Sequence, residues 1–294
     1  RGSIRRALQL AAAMKVVVTG AGGLLGSELV STYRARDADV VACDRAELDV
    51  TDRNGVADRL GAEAPDLVLH CAAYTAVDRA ESEPDIAFAS NVEGTRNVAA
   101  ACVATGARLV YFSTDFVFDG RAETPYGTDA EPNPMSVYGR SKLAGEKVVA
   151  SSGAESLTVR TSWLFGQGGA SFVTMVLERG RSGRPLRVVD DQRGSPTWAR
   201  DLADTTARLV DAGVTGLVHV TNGGTATWYE LAKAVLEVSK VEAELSPVGS
   251  EEWAAAAARP RYSVLDITET EALLGRVMTP WRDSLRNFLR GSAS

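Results

Sequence analysis

Histidine and cysteine are scarce in this chain of 294 residues: His70 and His219 are its only histidines, and Cys43, Cys71 and Cys102 its only cysteines. A small, odd number of cysteines, each in or beside an apolar run, excludes a disulfide framework. It reads as buried, reduced thiols in a reducing compartment. No Cys/His cluster has zinc-ligand spacing. Both histidines end or interrupt predicted strands, so neither is a candidate catalyst. Positive charge is also short, with 32 Lys and Arg against 38 Asp and Glu and a formal net charge of −6. With no basic excess to neutralise phosphates, a nucleic-acid surface is not expected. No apolar run is long enough to span a bilayer, so a cytoplasmic location without membrane attachment is expected. The chain has no internal repeat, low-complexity tract or extended linker. Residues 1–13 carry three arginines, no acid and a short Ala/Leu run before Met14. That run is too short for a secretory signal, so the segment reads as a leader or an appended remnant, outside the fold.

What the chain does contain is a glycine-dense turn between a strand and a helix. Val16, Val17 and Val18 run into Thr19-Gly20-Ala21-Gly22-Gly23-Leu24-Leu25-Gly26, and a helical pattern begins at Leu24. Glycine permits positive φ and close approach of a phosphate to the main chain. The free N–H groups of a first helical turn favour an anion. Gly20, Gly22, Gly23, Leu24, Leu25 and Gly26 are therefore expected to cradle a dinucleotide pyrophosphate.

Strands and helices alternate from there. Strands are expected at 15–19, 39–43, 66–70, 107–112, 157–160, 186–189 and 216–220. Helices are expected at 24–36, 52–61 (Thr51 as N-cap, Gly61 at its end), 85–105, 135–150, 171–181, 199–211, 227–239, 251–258, 268–274 and 281–289. Strands separated by helices make a parallel sheet with right-handed crossovers. The expected fold is α/β, a Rossmann-type doubly wound parallel sheet with a smaller mixed C-terminal lobe. Residues 14–160 form the dinucleotide-binding domain, with 198–220 returning to it, and residues 161–197 and 221–294 form the substrate lobe.

In such sheets ligands bind beyond the carboxyl ends of the strands. After the second strand stand Asp44, suited to an NAD ribose, and Arg45, suited to a 2′-phosphate; the two point to opposite cofactors. Asp49-Val50 lies where it can edge an adenine. After the third strand, Ala72, Ala73 and Tyr74 let a flat cofactor lie close to the backbone. After the fourth comes Ser113-Thr114-Asp115, with a hydroxyl placed for a substrate oxygen. Tyr138 and Lys142 are four residues apart at the start of a helix and share a face. A phenol is a poor acid near neutral pH unless a cation lowers its pKa, a role open to Lys142, which can also hold a ribose hydroxyl.

With these residues in view, the chain resembles the extended short-chain dehydrogenase/reductases, and more narrowly the dTDP-4-dehydrorhamnose reductase family. The narrower resemblance rests on Cys71–Asp78, Ser113–Gly120, Arg160–Gly166, Asp191–Thr197, Thr227-Trp228-Tyr229 and Arg259–Ser263, and covers nearly everything after Met14. It implies reduction of the carbon-4 ketone of dTDP-4-dehydro-L-rhamnose by NADPH or NADH, NADPH by the resemblance and NADH by Asp44. It implies that Tyr138 donates the proton, Thr114 orients the carbonyl oxygen, and Lys142 tunes Tyr138 and binds the nicotinamide ribose. Asp115 and Trp163 would line the sugar pocket. Two residues depart from the family pattern: Phe116 replaces a tyrosine, and Arg193 is unusual and placed to reach a phosphate or sugar. Some members use magnesium at a dimer contact, for which no carboxylate cluster argues here; monomer and homodimer both stand open. The alternatives are a ketoreductase for a different dTDP-4-keto-deoxysugar, a non-catalytic nucleotide-binding regulatory subunit, or an epimerase or dehydratase on the same fold.

Overall fold

Six short β-branched and leucine-rich segments form the centre of the computed structural model, which describes residues 13–252 and 255–291. They are β1 (Lys15–Thr19), β2 (Asp39–Cys43), β3 (Leu67–His70), β4 (Arg108–Thr114), β5 (Ser156–Thr161) and β6 (Gly216–His219). All pair in parallel in the order β6-β5-β4-β3-β1-β2. The principal helices are α1 (Leu24–Arg34), α2 (Arg53–Glu63), α3 (Thr95–Thr105), α4 (Val137–Ser151), α5 (Phe172–Arg181), α6 (Ala199–Asp211), α7 (Trp228–Ser239) and α8 (Trp281–Gly291).

Side chains alternate across a strand, so each strand serves two cores. Val16, Val18, Leu69, Val110, Leu157 and Val218 face one way, onto Leu25 and Leu29 of α1 and Leu202 and Leu209 of α6. Val17, Val68, Leu109 and Tyr111 face the other, onto Val56 and Leu60 of α2, Val98 and Cys102 of α3 and Val149 of α4. The remaining chain gathers Phe165, Val173, Leu231, Val235, Leu285 and Phe288 into a separate core. Short strand pairs frame it: Leu164–Phe165 with Thr197–Trp198, Arg193–Gly194 with Ala226–Thr227, and Leu186–Val189 with Leu245–Val248.

Several local expectations are corrected. Helix α1 stops at Arg34, and α2 is capped by Asp52, whose carboxylate accepts from Asn54 N–H, rather than by Thr51; Ala64 in the left-handed region ends α2, and Gly61 lies inside it. The long helix expected over 85–105 is broken into Val77–Ser82, Pro84–Phe88, a π-helical turn at Ala89–Gly94, and α3. The π turn places Asn91 to bond the Tyr74 backbone at both N–H and C=O, and the Ser141 hydroxyl. Within the range 251–258, the described residues show only the end of a 3₁₀ turn, Ser250–Glu252. Cys43 and Cys102 are buried free thiols, but Cys71 is only partly buried, at the sheet edge where the site opens. The 1–13 segment lies outside the described residues except for Ala13. Among the described residues no helix is long and apolar enough to cross a membrane.

Leu202 of α6 is fully buried in the core shared with β1 and α1. Leu202→Ala is expected to lower stability by about 2–5 kcal/mol, seen as a lower urea midpoint with unchanged slope.

Candidate active site

The carboxyl ends of β1, β3, β4 and β5 converge on one edge, and each contributes a polar residue there. At β1 the chain turns through Gly20 at φ +67°, where a Cβ would lie 2.6 Å from the Ala72 backbone nitrogen. At Gly26 a Cβ would lie 2.2 Å from the Gly20 carbonyl oxygen. Both contacts are with backbone that cannot give way, so only glycine fits. Gly22 and Gly23 have more room, at 3.8 and 3.4 Å from their nearest neighbours. Gly23 is the N-cap of α1 and offers no side chain, and the first turn holds no acid. The first-turn N–H groups thus keep their positive end for an anion. Leu25 is buried below the turn, while Leu24 lies at its surface beside Gly166 and Gly169. This cradle fits a dinucleotide pyrophosphate.

Beneath it runs a buried hydrogen-bond chain. Thr95 Oγ1 donates to the Asn91 carbonyl, so it accepts from His70 Nε2 at 3.2 Å. His70 Nδ1 then accepts from Thr19 Oγ1 at 2.7 Å, and Thr19 Oγ1 accepts from Ala72 N–H. The tautomer is assigned from this network. Burial pushes the His70 pKa down to about 3, with the Lys142 charge adding to it, so the ring is neutral. The chain pins Ala72 against Gly20. Ala73 is partly buried, and the Tyr74 phenol is drawn away to Glu83.

On the adenine side, Asp44 forms a local turn: its Oδ1 accepts from the N–H groups of Ala46 and Glu47, and its own N–H donates to Glu47. Asp44 and Arg45 are both exposed. Asp49 is engaged by the Thr51 N–H and hydroxyl, which hold its carboxyl below the usual carboxylate range. Val50 is buried against Gly94.

At the other end, Thr114, Asp115, Tyr138 and Lys142 come together. Helix α4 is capped by Ser136, whose Oγ accepts from Gly139 N–H, so Tyr138 sits in the first turn and Lys142 in the next. Thr114 Oγ1 donates to Asp115 Oδ1 at 3.0 Å, accepts from Phe116 N–H, and is in hydrogen-bond reach of the Tyr138 phenol. Phe116 meets the Tyr138 ring edge-on at 5.6 Å, a contact that needs no hydroxyl. Asp115 is buried, which raises its pKa to about 6, and its Oδ2 has no partner among the described residues.

Lys142 is 3% exposed. Its Nζ lies 4.2 Å from the centre of the Tyr111 ring, whose hydroxyl donates to the Lys142 carbonyl. Burial pushes Lys142 down to about 7 and Tyr138 up to about 12, eased by the Thr114 bond. The expected lowering of Tyr138 by Lys142 is therefore not what the geometry gives. Both groups are desolvated, and burial resists the charged form of each.

Trp163 has φ +49°, a left-handed conformation rare for a bulky residue. Its ring stacks on Trp228 with centroids 3.5 Å apart and planes 2° from parallel. Trp228 Nε1 donates to Gln192. Arg193 pairs with Glu230 at 3.3 Å and donates to Thr225, so its charge is met within the lobe. Sequence reading missed His70, Thr95, Asn91, Tyr111 and the buried Glu146–Arg160 pair. For Glu146 the signal was its spacing of one helical turn from Lys142; for Trp228 it was its place within the motif already noted.

The family described as the RmlD substrate binding domain matches residues 14–293. The chain is 42% identical over 276 residues to a dTDP-4-dehydrorhamnose reductase of Streptomyces griseus, covering 92% of this chain and 91% of that one. It is 40% identical over 284 residues to a probable dTDP-4,6-dihydroxy-2-methyloxan-3-one 4-ketoreductase of Streptomyces antibioticus, covering 93% and 94%. Among solved structures it is similar to a dTDP-4-dehydrorhamnose reductase of Bacillus anthracis in complex with NADP, with a TM-score of 0.92 and 38% identity over 95% of this chain and 99% of that one. By this match over residues 14–293, the chain belongs to the dTDP-4-dehydrorhamnose reductase family.

Proposed function

We propose that this protein is an oxidoreductase that reduces the carbon-4 ketone of dTDP-4-dehydro-L-rhamnose to give dTDP-L-rhamnose. The observation that carries the reading is Tyr138, held against Thr114 at the end of β4 and one turn from Lys142, beside a cradle that fits a dinucleotide. NADPH is the cofactor favoured, since the similar Bacillus anthracis reductase binds NADP; when bound, it supplies the hydride. The substrate is a nucleotide sugar, and the resting protein is read as cytoplasmic, acting as a monomer or homodimer without nucleic acid.

The side chains supply the proton and the orientation. Thr114, anchored by the Phe116 N–H, turns its hydroxyl proton from Asp115 to the carbonyl oxygen, which accepts it. Tyr138, kept protonated by its burial, donates its phenolic proton to that oxygen as charge develops. Lys142, when protonated, stabilises the phenolate left behind and holds the nicotinamide ribose. Asp115 and Trp163 form the sugar-facing wall. Gly20, Gly26 and the first turn of α1 receive the pyrophosphate, and Asp44 or Arg45 meets the adenine ribose. The relative from Streptomyces antibioticus supports a second reading, in which the sugar is a different dTDP-4-keto-deoxysugar. The intact proton-transfer group argues against a purely regulatory subunit.

Product identification from dTDP-4-dehydrorhamnose with NADPH and, in parallel, NADH tests the reading; no oxidation of either cofactor would overturn it. Tyr138→Phe is expected to lower kcat by roughly 10²–10⁴-fold with little change in KM, measured by NADPH absorbance. The value of about 7 for Lys142 also sets a pH limb. Its charge is present below that value and lost above it, so kcat/KM should fall as pH rises through about 7. Lys142→Arg should abolish that limb, whatever its effect on the rate.

A further inference from the structure

Helix α4 carries, one turn beyond Lys142, a second buried ionisable residue that the reduction chemistry leaves unassigned. Glu146 is 8% exposed, and its carboxylate is fully engaged. Arg160 at the end of β5 donates from Nε to Oε1 at 2.8 Å and from NH2 to Oε2 at 2.7 Å. Ser113, the residue before Thr114 in β4, donates its hydroxyl to Oε1. Arg160 is 3% exposed, and its guanidinium rests over the Phe118 ring at 5.1 Å. One carboxylate therefore joins the strand that delivers Thr114, the strand that leads into Trp163, and the helix that carries Tyr138 and Lys142.

Resting on the reductase reading above, we infer that Glu146 is a positioning residue for the reduction: it ties α4 to the ends of β4 and β5 and supplies the counter-charge for Lys142. The groups that face these two residues set the charge balance between them. From the end of β3, His70 is neutral and Cys71 is held as the thiol by burial. From β4, Tyr111 keeps its proton. From α4 itself, Tyr138 keeps its proton as well. Asp115 faces Tyr138 and Thr114. From β6, His219 faces Arg160 and is pushed down to about 4, so it is neutral. Asp115, ionised above about pH 6, lies against Tyr138 and Thr114, and the remaining charges near Lys142 are those of the Glu146–Arg160 pair. Glu146 is the one of the two that favours a charged Lys142, although no carboxylate is within ion-pair distance of Nζ among the described residues. A buried pair set beyond contact distance acts by field, which low-dielectric surroundings screen weakly.

The test reads the Lys142 titration directly, by ¹³C NMR of lysine-labelled full-length protein without ligand, its signal assigned by loss in Lys142→Arg. Glu146→Gln keeps the shape and removes the negative charge, and Arg160→Gln removes the positive one. The Lys142 midpoint should fall by about one pH unit or more in Glu146→Gln and rise in Arg160→Gln. The alkaline limb of kcat/KM should move the same way in each. A merely structural pair would damage both variants alike and leave the midpoint where it was. Midpoints that stay in place, or shift in the same direction, overturn the inference. If Glu146→Gln does not fold, because Arg160 is left buried and unpaired, the upward shift in Arg160→Gln decides alone. Wild-type protein that reduces no keto-sugar would fail the reductase reading, while the titration would still decide this one.

Discussion

The proposed reaction turns on an ammonium group buried away from water. Lys142 lies in the second turn of α4, covered on one side by the Tyr111 ring and on the other by the end of β3. Desolvation there pulls against its charge, and the surrounding side chains answer in two ways. The histidine, thiol and phenols around it are buried in their uncharged forms, so they add no charge of either sign. The aromatic face of Tyr111 and the field of Glu146 favour the cation directly. A lysine balanced in this way sits near neutrality, where a modest change in its surroundings decides its state. An anionic ligand entering the cleft would be such a change, raising the proton affinity of Lys142 as it binds.

The same economy of charge governs the floor of the cradle. Thr95, His70, Thr19 and the Ala72 amide form an unbroken run in which every donor has an acceptor. A charged imidazole would need two acceptors and would break the run at Thr19. Neutral, it fixes the end of β3 to the end of β1, bringing Ala72 within contact of Gly20. The close backbone approach on which the glycine turn depends is thus enforced by side chains buried beneath it.

Much of this framework was legible in the sequence, because it is local. The Val16–Val18 run, the glycine turn and the strand ends at Thr19 and His70 all follow from neighbouring residues, while β4 runs two residues past its expected end at 112, to Thr114. What was not legible depends on contacts between distant segments. Asn91 looks like an ordinary helix residue, and its π turn exists because Tyr74 and Ser141 reach it from other elements. Glu146 offers only its helical spacing from Lys142 until β5 brings Arg160 against it. Arg193 reads as placed to reach a phosphate or sugar, whereas α7 presents Glu230 to it. Asp44 reads as a ribose acid, and its Oδ1 closes a turn with the N–H groups of Ala46 and Glu47. Periodicity reports which face is buried, but not which buried charges find each other.

The opposite wall of the cleft follows a different logic. Trp163 holds a left-handed backbone that costs on the order of 1–3 kcal/mol, and it persists because its ring lies flat on Trp228. Trp228 is in turn fixed by Gln192 and by the edge of Phe172. Trp163 is thereby rooted in the core of the C-terminal lobe instead of riding on a free loop. Hydride and proton transfer to a ketone make similar demands whatever the rest of the sugar, so the Thr114, Tyr138 and Lys142 group has little basis for telling one 4-keto sugar from another. Discrimination needs a surface that does not adapt. A strained tryptophan locked by a second tryptophan is such a surface, and it lies on the lobe that contributes no proton-transfer group.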